Sequence, residues 1–253
     1  MLANYHTHTY RCHHAEGSEK EYIEAAIRGG IKVLGFSDHT PYLFREPWQI
    51  RMMPEELPGY VETLRALAGR YAGQIELRIG VEAEYYPAHF SALLDLLREN
   101  GVQYMILGQH FLGNEIGEPS SGNETEDAGI LERYVAQCEE ALQTGLFTYF
   151  AHPDLIRFVG SRKIYDRLMQ RLCETAKATG TPLEINLLGI RDGRHYPDER
   201  FWAIAGAVGN NVILGSDAHR PEDVCDPASE RRALALAEKY ALHLIDSVAL
   251  RPI

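Results

Sequence analysis

The feature that most constrains the fold is a strict alternation of short apolar segments with longer helical patterns. The apolar segments have the length of strands, and between them apolar residues recur at the spacing of an α-helix. Strict alternation of this kind predicts strand-helix-strand units, whose strands pair in parallel. We count about seven strand-helix pairs, so the expected core is a parallel sheet covered by helices.

The predicted elements follow one another with short connections, apart from two longer segments. The predicted strands are 2–7, 31–39, 75–82, 104–107, 147–152, 183–186 and 212–216. The predicted helices are 19–28, 55–72, 88–99, 127–144, 160–179, 199–208 and 228–241. Residues 42–53 and 112–126 lack clear periodicity and are predicted as loops, which at this length usually carry or cover a functional site.

Imidazoles and carboxylates recur where the predicted strands end. His6 and His8 lie two apart in the first strand, and extended backbone would place both rings on one face. The other candidate ligands at strand ends are His39, Glu82, His110, His152, Asp217 and His219. Each alone has a simpler explanation, such as a buried histidine bonded to backbone or an aspartate capping the next helix. Their recurrence at one end of the strands predicts a metal centre.

The placement of these residues distinguishes between two parallel-sheet folds. A doubly wound open sheet collects its ligand-binding residues at a topological switch point, whereas here they follow both the first and the last predicted strands. Closure of the sheet would bring those strands together. The chain has 253 residues, close to the ~250 typical of a (β/α) barrel. We therefore predict one domain over residues 1–253, a distorted TIM-like (β/α)7 barrel with its site at the C-terminal face.

Imidazole and carboxylate ligands suit zinc, iron or manganese. The candidate ligands form three groups: His6, His8, Glu82 and Asp217; His110, His152 and the other oxygen of Glu82; and His39 and His219 with one residue of the first loop, for which the alternatives are His13, His14 and Glu16. A carboxylate that bridges two ions sets them about 3.5–4 Å apart, where a shared water becomes a nucleophile. The sequence thus predicts three divalent ions around one reactive centre.

Composition excludes several classes of partner. The formal net charge of −11 argues against a nucleic-acid binder, which needs a basic face. The four cysteines show no CxxC spacing, so neither a disulfide framework nor a thiolate zinc site is predicted. The N-terminus lacks a signal-peptide pattern, and no run approaches about 18 apolar residues. We expect a cytoplasmic protein without membrane contact, and its oligomeric state stays open.

The ordered motifs resemble those of the polymerase and histidinol phosphatase (PHP) family. They are His6-Thr7-His8, Ser37-Asp38-His39, Gly80-Val81-Glu82, His110, His152-Pro153-Asp154 and Gly215-Ser216-Asp217-Ala218-His219. The resemblance extends from residue 6 to about residue 220. Within the family, the length and the stretches Cys12–Gly17 and Asp38–Pro41 are most similar to the stand-alone histidinol-phosphate phosphatases.

The resemblance implies a (β/α)7 barrel with a trinuclear site, and it carries the ligand groups above onto these positions. It favours His14 as the loop ligand, six residues after His8. It further implies hydrolysis of L-histidinol phosphate in histidine biosynthesis, by attack of a metal-bridging hydroxide on phosphorus, with Glu82, Asp217 and His219 as catalytic residues.

A phosphate ester also needs groups that bind it. A guanidinium can bind phosphate in a bidentate manner, and Arg157 and Arg191 are predicted to do so, while Arg194 is interpreted as a solvent-exposed loop residue. The ammonium and imidazole of histidinol phosphate need acceptors, for which Glu115 or Glu84 is predicted.

Three other functions remain alternatives. The same metal chemistry could act on another small phosphate ester, such as a nucleotide. A metal-dependent amidohydrolase would have a bridging lysine at a strand end, where this chain has Glu82. A non-catalytic metal-binding module is poorly motivated, because nine ligands exceed what a closed structural site requires.

Overall fold

The computed structural model describes residues 1–44 and 50–253. Its core is an eight-stranded sheet whose strands follow one another in sequence order. The strands are β1 (Ala3–Asn4), β2 (Val33–His39), β3 (Glu76–Ala83), β4 (Tyr104–Leu107), β5 (Phe147–Phe150), β6 (Leu183–Asn186), β7 (Asn211–Gly215) and β8 (His243–Leu244). All neighbouring strands pair in parallel.

Helices connect consecutive strands, as the alternation predicted. They are α1 (Glu19–Arg28), α2 (Leu57–Arg70), α3 (Phe90–Asn100), α4 (Ala128–Gln143), α5 (Arg162–Ala178), α6 (Leu187–Asp192), α7 (Glu199–Val208) and α8 (Pro227–Lys239). The short helix α6 was not predicted; it begins directly after β6, where the Asn186 side chain accepts a hydrogen bond from the Gly189 backbone N–H. The predicted loop 42–53 lies partly outside the described residues, which exclude 45–49.

The α/β class with a parallel sheet is confirmed, but the count of seven strands is not. The eighth strand is the two-residue segment β8, which pairs with Asn211 and Val212 at the start of β7. It escaped prediction because a pair of residues is too short to show any periodicity.

The sheet curls so that its first and seventh strands meet. The His8 backbone N–H donates to the Ala218 carbonyl oxygen at 3.0 Å, and Thr7 forms a parallel bridge with Ala218. The Asn4 side chain donates to Ser216 Oγ at 2.7 Å and accepts from the Ser216 backbone N–H at 3.0 Å. These bonds bring the first and last segments that carry candidate ligands side by side.

Two apolar cores hold the sheet in place. The larger lies between the sheet and its helices, and the smaller fills the inside of the curl with Ala3, Tyr5, Tyr104, Ile106, Tyr149, Ala151 and Ile213. The Tyr104 hydroxyl donates to the Tyr5 carbonyl oxygen at 2.8 Å. A Cβ on Gly80 would lie 2.3 Å from the Tyr104 ring, so only glycine at this position leaves room for the tyrosine. The open end of the curl is therefore the C-terminal end of the strands.

Candidate metal centre

The carboxylate of Glu82 lies in the middle of the C-terminal end of the sheet. β3 presents it inward, because the alternate residues Val81 and Ala83 pack against the helices. Its Oε2 atom lies 3.5 Å from His6 Nε2, and 3.5 Å from His8 Nε2. The Nδ1 atom of His39 is closer still, at 3.0 Å.

The other oxygen of Glu82 faces a second pair of imidazoles. Its Oε1 atom lies 2.8 Å from His152 Nε2 and 3.5 Å from His110 Nε2. Space for this oxygen comes from Gly108, where a Cβ would lie 2.0 Å from Oε1. The two oxygens of Glu82 thus face different sets of imidazoles, as expected for a carboxylate that bridges two ions.

Asp217 faces the same centre from the end of β7. Its Oδ1 atom lies 3.1 Å from His8 Nε2, 3.5 Å from His6 Nε2 and 3.4 Å from His219 Nδ1. Asp217 has φ 46° and His152 has φ 32°, a backbone region that non-glycine residues seldom adopt. Such strain persists where the surrounding structure enforces it, and it concentrates at functional sites.

The first loop brings His14 to the same cluster. Its ring stacks on His219 with centroids 4.8 Å apart, and on His39 at 5.3 Å. Its Nδ1–H donates to the Cys12 carbonyl oxygen at 2.6 Å. His14 and Glu16 both line the cavity above the cluster, and His13 is not among the described residues that do.

Several buried atoms of the cluster have no hydrogen-bond partner among the described residues. They are His6 Nε2, His8 Nδ1 and Nε2, His39 Nδ1, Glu82 Oε2, His152 Nδ1 and Asp217 Oδ1. A buried polar atom left unpaired costs about 1–3 kcal/mol, and a cation bound between such atoms would satisfy them. The residues present therefore fit a divalent metal centre.

Ligand atoms within 4.8 Å of one another define several three-residue groups. They include His8, His39 and His219; His6, His152 and Asp217; and His6, His8 and Glu82. Since His6 and His8 each belong to more than one group, proximity does not separate the ligands into the three predicted sets.

The pKa shifts of His219 and Glu82 favour the forms that bind a cation. Burial and the neighbouring His8 lower the pKa of His219 to about 3. Burial disfavours the charged form of Glu82, but His110, His6 and His39 outweigh it and hold the pKa of this carboxyl well below its usual range. Neutral imidazoles and ionised carboxylates are the forms that ligate metals.

Neighbouring carboxylates shift the pKa of His8 in the opposite direction to that of His219. Burial lowers the pKa of His8, but its contacts with Asp217 and Asp38 outweigh burial and raise the pKa to about 9. A site that attracts a proton this strongly also attracts a metal cation, which would compete with the proton for the same nitrogen.

A cavity of about 590 Å³ opens above the cluster. Its walls carry charge of both signs, from Glu16, Arg191, Asp192, Arg194, Arg220 and Asp223. Arg191 Nε lies 3.3 Å from Asp223 Oδ1, and the buried Nη1 of Arg191 has no hydrogen-bond partner among the described residues. Arg194, interpreted from the sequence as a solvent-exposed loop residue, also lines this cavity.

The structure does not bring the other two predicted substrate-binding residues to the cavity. Arg157 pairs with Glu124 at 2.8 Å and is not among the described lining residues. Glu115 is buried, and its Oε2 accepts from Arg51 at 2.7 Å and from the Tyr86 hydroxyl at 2.8 Å. Neither residue reaches the described part of the cavity, because residues that follow a strand end by several positions can turn away from it, and their roles in substrate binding stay predictions.

Glu84, the alternative acceptor, is also engaged by protein groups. Arg51 donates to both of its oxygens, at 2.8 and 2.7 Å. His110 Nδ1 lies 2.9 Å from Glu84 Oε1. Glu84 therefore supports His110 from behind the cluster and does not line the cavity among the described residues.

Several residues at the site were not predicted from the sequence, among them Glu184, Tyr196 and Arg220. Glu184 had a detectable signal, because the strand residues Leu183 and Ile185 pack against the helices and alternation turns Glu184 inward. Tyr196 and Arg220 line the cavity from irregular segments, for which no periodic pattern exists.

Fold and site together define an α/β metal-dependent enzyme, with imidazoles and carboxylates at the C-terminal ends of parallel strands. The chain belongs to the PHP domain family, whose model matches residues 4–187. The resemblance seen in the motifs is thereby confirmed. A probable histidinol-phosphatase from Deinococcus radiodurans is 30% identical over 231 residues, with 88% of each chain covered. A histidinol-phosphatase from Bacillus subtilis is 25% identical, over 87% of this chain and 94% of that one.

Solved structures share the fold at lower identity. The histidinol phosphate phosphatase from Lactococcus lactis, crystallised with zinc, L-histidinol and phosphate, has a TM-score of 0.77 at 18% identity. The superposition covers 98% of this chain and 97% of that one. A putative histidinol phosphatase from Listeria monocytogenes has a TM-score of 0.75 at 19% identity, covering 90% and 99%.

Proposed function

We propose that the protein is a metal-dependent phosphomonoesterase that hydrolyses L-histidinol phosphate to L-histidinol and phosphate, a step of histidine biosynthesis. The observation that carries this function is the set of unpaired, buried imidazole and carboxylate atoms at the base of a cavity with arginines in its walls. The relatives named histidinol-phosphatase support the choice of substrate.

The proposed cofactors are three divalent ions, of zinc, iron or manganese. The residues that would hold them are His6, His8, His14, His39, Glu82, His110, His152, Asp217 and His219. When bound, such ions lower the pKa of a water molecule and neutralise charge on the phosphoryl oxygens.

The cavity walls supply the remaining groups. Arg191 is proposed to bind a phosphoryl oxygen, because its side chain lines the cavity and its Nη1, 3.7 Å from Asp226 Oδ2, has no hydrogen-bond partner among the described residues. Glu82, Asp217 and His219 line the same cavity and are the proposed catalytic residues. Asp217 Oδ2 accepts from Asn186 while Oδ1 is unpaired among the described residues, so Oδ1 is the atom proposed to hold a metal ion.

Two broader expectations stay proposals. We describe residues 1–253 as a single domain, a distorted (β/α)7 barrel to which β8 is added beside β7. The expected cytoplasmic location and the absence of nucleic-acid or membrane partners remain predictions from the sequence. In the structure, none of the described helices has the length and apolar character needed to cross a membrane.

A comparison of substrates tests the proposed function. The purified, metal-loaded protein is assayed for phosphate release from L-histidinol phosphate and from a nucleoside monophosphate, and for ring opening of a dihydropyrimidine amide. We expect kcat/KM for histidinol phosphate to exceed that for the nucleotide, because relatives that cover most of this chain are named histidinol-phosphatase. A preference for the nucleotide would favour the alternative phosphoesterase, and ring opening would favour an amidohydrolase.

A further inference from the structure

Another carboxylate, that of Glu184, lies behind the candidate metal centre. It is on β6 and is fully buried, and it is not among the described residues that line the cavity. Its Oε1 atom lies 2.8 Å from His6 Nδ1. The opposite nitrogen of that ring, Nε2, points to Glu82 and Asp217, 3.5 Å from an oxygen of each.

The second oxygen of Glu184 is also engaged. Oε2 accepts from the His152 backbone N–H at 3.1 Å and from the Asn186 side-chain amide at 3.0 Å. The same amide donates to Asp217 Oδ2, also at 3.0 Å. One carboxylate therefore contacts His6 and His152 directly and Asp217 through a single intervening side chain.

The neighbouring strand makes room for this carboxylate. A Cβ at Gly215 on β7 would lie 1.7 Å from Glu184 Oε1, so any other residue there would displace the oxygen that faces His6. Gly108 has the same relation to Glu82, where the corresponding distance is 2.0 Å. The fold thus places a glycine beside each of these two inward-facing carboxylates. Glu82 lies between the imidazoles, and Glu184 lies behind them.

We propose that Glu184 is a positioning residue for the metal centre, which acts by holding His6 in the orientation and tautomer that present Nε2. A carboxylate that accepts from Nδ1–H leaves the lone pair of the ring on Nε2, and such outer partners orient ligating histidines. Glu184 is not itself proposed as a ligand, because both of its oxygens already accept hydrogen bonds. The inference rests on the metal centre of the proposed function.

Glu184→Gln tests this role without a change in side-chain length. The amide cannot accept from all three donors, so His6 loses its fixed partner or the other two donors lose theirs. We expect metal affinity, measured by competition with a chelator, to fall about 10- to 100-fold, while the metal-free protein remains folded with a cooperative melting transition. At saturating metal, KM should stay near the wild-type value. Glu139→Gln on α4 is the matched control: its carboxylate bonds Arg171 and Thr175, and metal affinity should not change.

Two results would overturn the role of Glu184. One is wild-type metal affinity in folded Glu184→Gln, and the other is a fall in metal-free melting temperature with unchanged affinity, which marks a structural role. If Glu184→Gln does not fold, Glu184→Asp replaces it; its shorter carboxylate withdraws from His6, and unchanged affinity would again reject the proposal. Wild-type protein that binds no zinc, iron or manganese would instead reject the proposed function, which keeps the two failures distinct.

Discussion

At the scale of single residues, the candidate site depends on glycines as much as on ligands. Glu82 faces imidazoles on both sides only because Gly108 leaves space beside its Oε1 atom. The ligand types were evident in the sequence, but the need for glycine beside them was not, since it depends on how neighbouring strands are aligned.

Gly108→Ala should therefore impair the site without any change to a ligand. The added Cβ would lie 2.0 Å from Glu82 Oε1, so the carboxylate must move, and a misplacement of about 1 Å can reduce rate about 100-fold. We expect kcat to fall by about that factor, with less bound metal by elemental analysis. The control is Gly59→Ala in α2, where the Cβ has no neighbour within 4 Å and activity should be unchanged. Full activity in Gly108→Ala would contradict the assignment of Glu82.

The two predicted phosphate-binding arginines lie in different environments. Arg191 lines the cavity and Arg157 pairs with Glu124 away from it. Arg191→Ala should lower kcat/KM for the phosphate ester about 10- to 100-fold, the effect of one charged hydrogen bond. Arg157→Ala serves as the control and should retain wild-type steady-state kinetics. Equal effects of the two substitutions would argue against a direct contact between Arg191 and phosphate.

At the scale of elements, a buried charge cluster of Arg51, Glu84 and Glu115 links the end of β3 to two loops. Arg51 follows the undescribed residues 45–49, and it donates to Glu84 just after β3 and to Glu115 in the loop after β4. Glu84 in turn contacts His110. The cluster links the path of two loops to the position of one candidate ligand.

Arg51→Met should destabilise the protein strongly. The substitution would remove the guanidinium charge that compensates the buried carboxylate of Glu84. Breaking a buried ion pair in this way costs about 3–5 kcal/mol. Urea unfolding of both proteins would measure the change in the free energy of unfolding. Arg171→Met is the control, because Arg171 forms partly exposed ion pairs with Glu132 and Glu139, worth about 1 kcal/mol each at such positions. Similar stabilities for the two variants would show that the buried cluster contributes little.

The sequence predicted elements with regular patterns and missed those without. Helix α1 was predicted over residues 19–28, and the structure contains it with a capping box at Ser18 and Glu21. The inward carboxylate Glu184 was missed although alternation in β6 marks it. Arg157 and Glu115 lie away from the described part of the cavity, because each lies several positions beyond a strand end, where backbone direction depends on long-range contacts. Tertiary contacts of this kind leave no periodic trace in the chain.

At the scale of the whole molecule, curling of the sheet assembles the site. Closure between residues 4–8 and 216–218 places His6 and His8 beside Asp217, although more than 200 positions separate them. The interior tyrosines fill the opposite end of the curl. The central claim is therefore that the converged imidazoles and carboxylates hold divalent ions on which hydrolysis depends.

Removal and restoration of metal tests this claim most directly. The protein is stripped with a chelator and dialysed, and phosphate release from L-histidinol phosphate is measured before and after addition of zinc, iron or manganese. We expect activity to fall to background, to return with at least one of these ions, and to be accompanied by a rise in melting temperature, since an ion present at about 100 times its Kd stabilises by about 2.7 kcal/mol. Stripped protein that cleaves the ester at its original rate would contradict the claim.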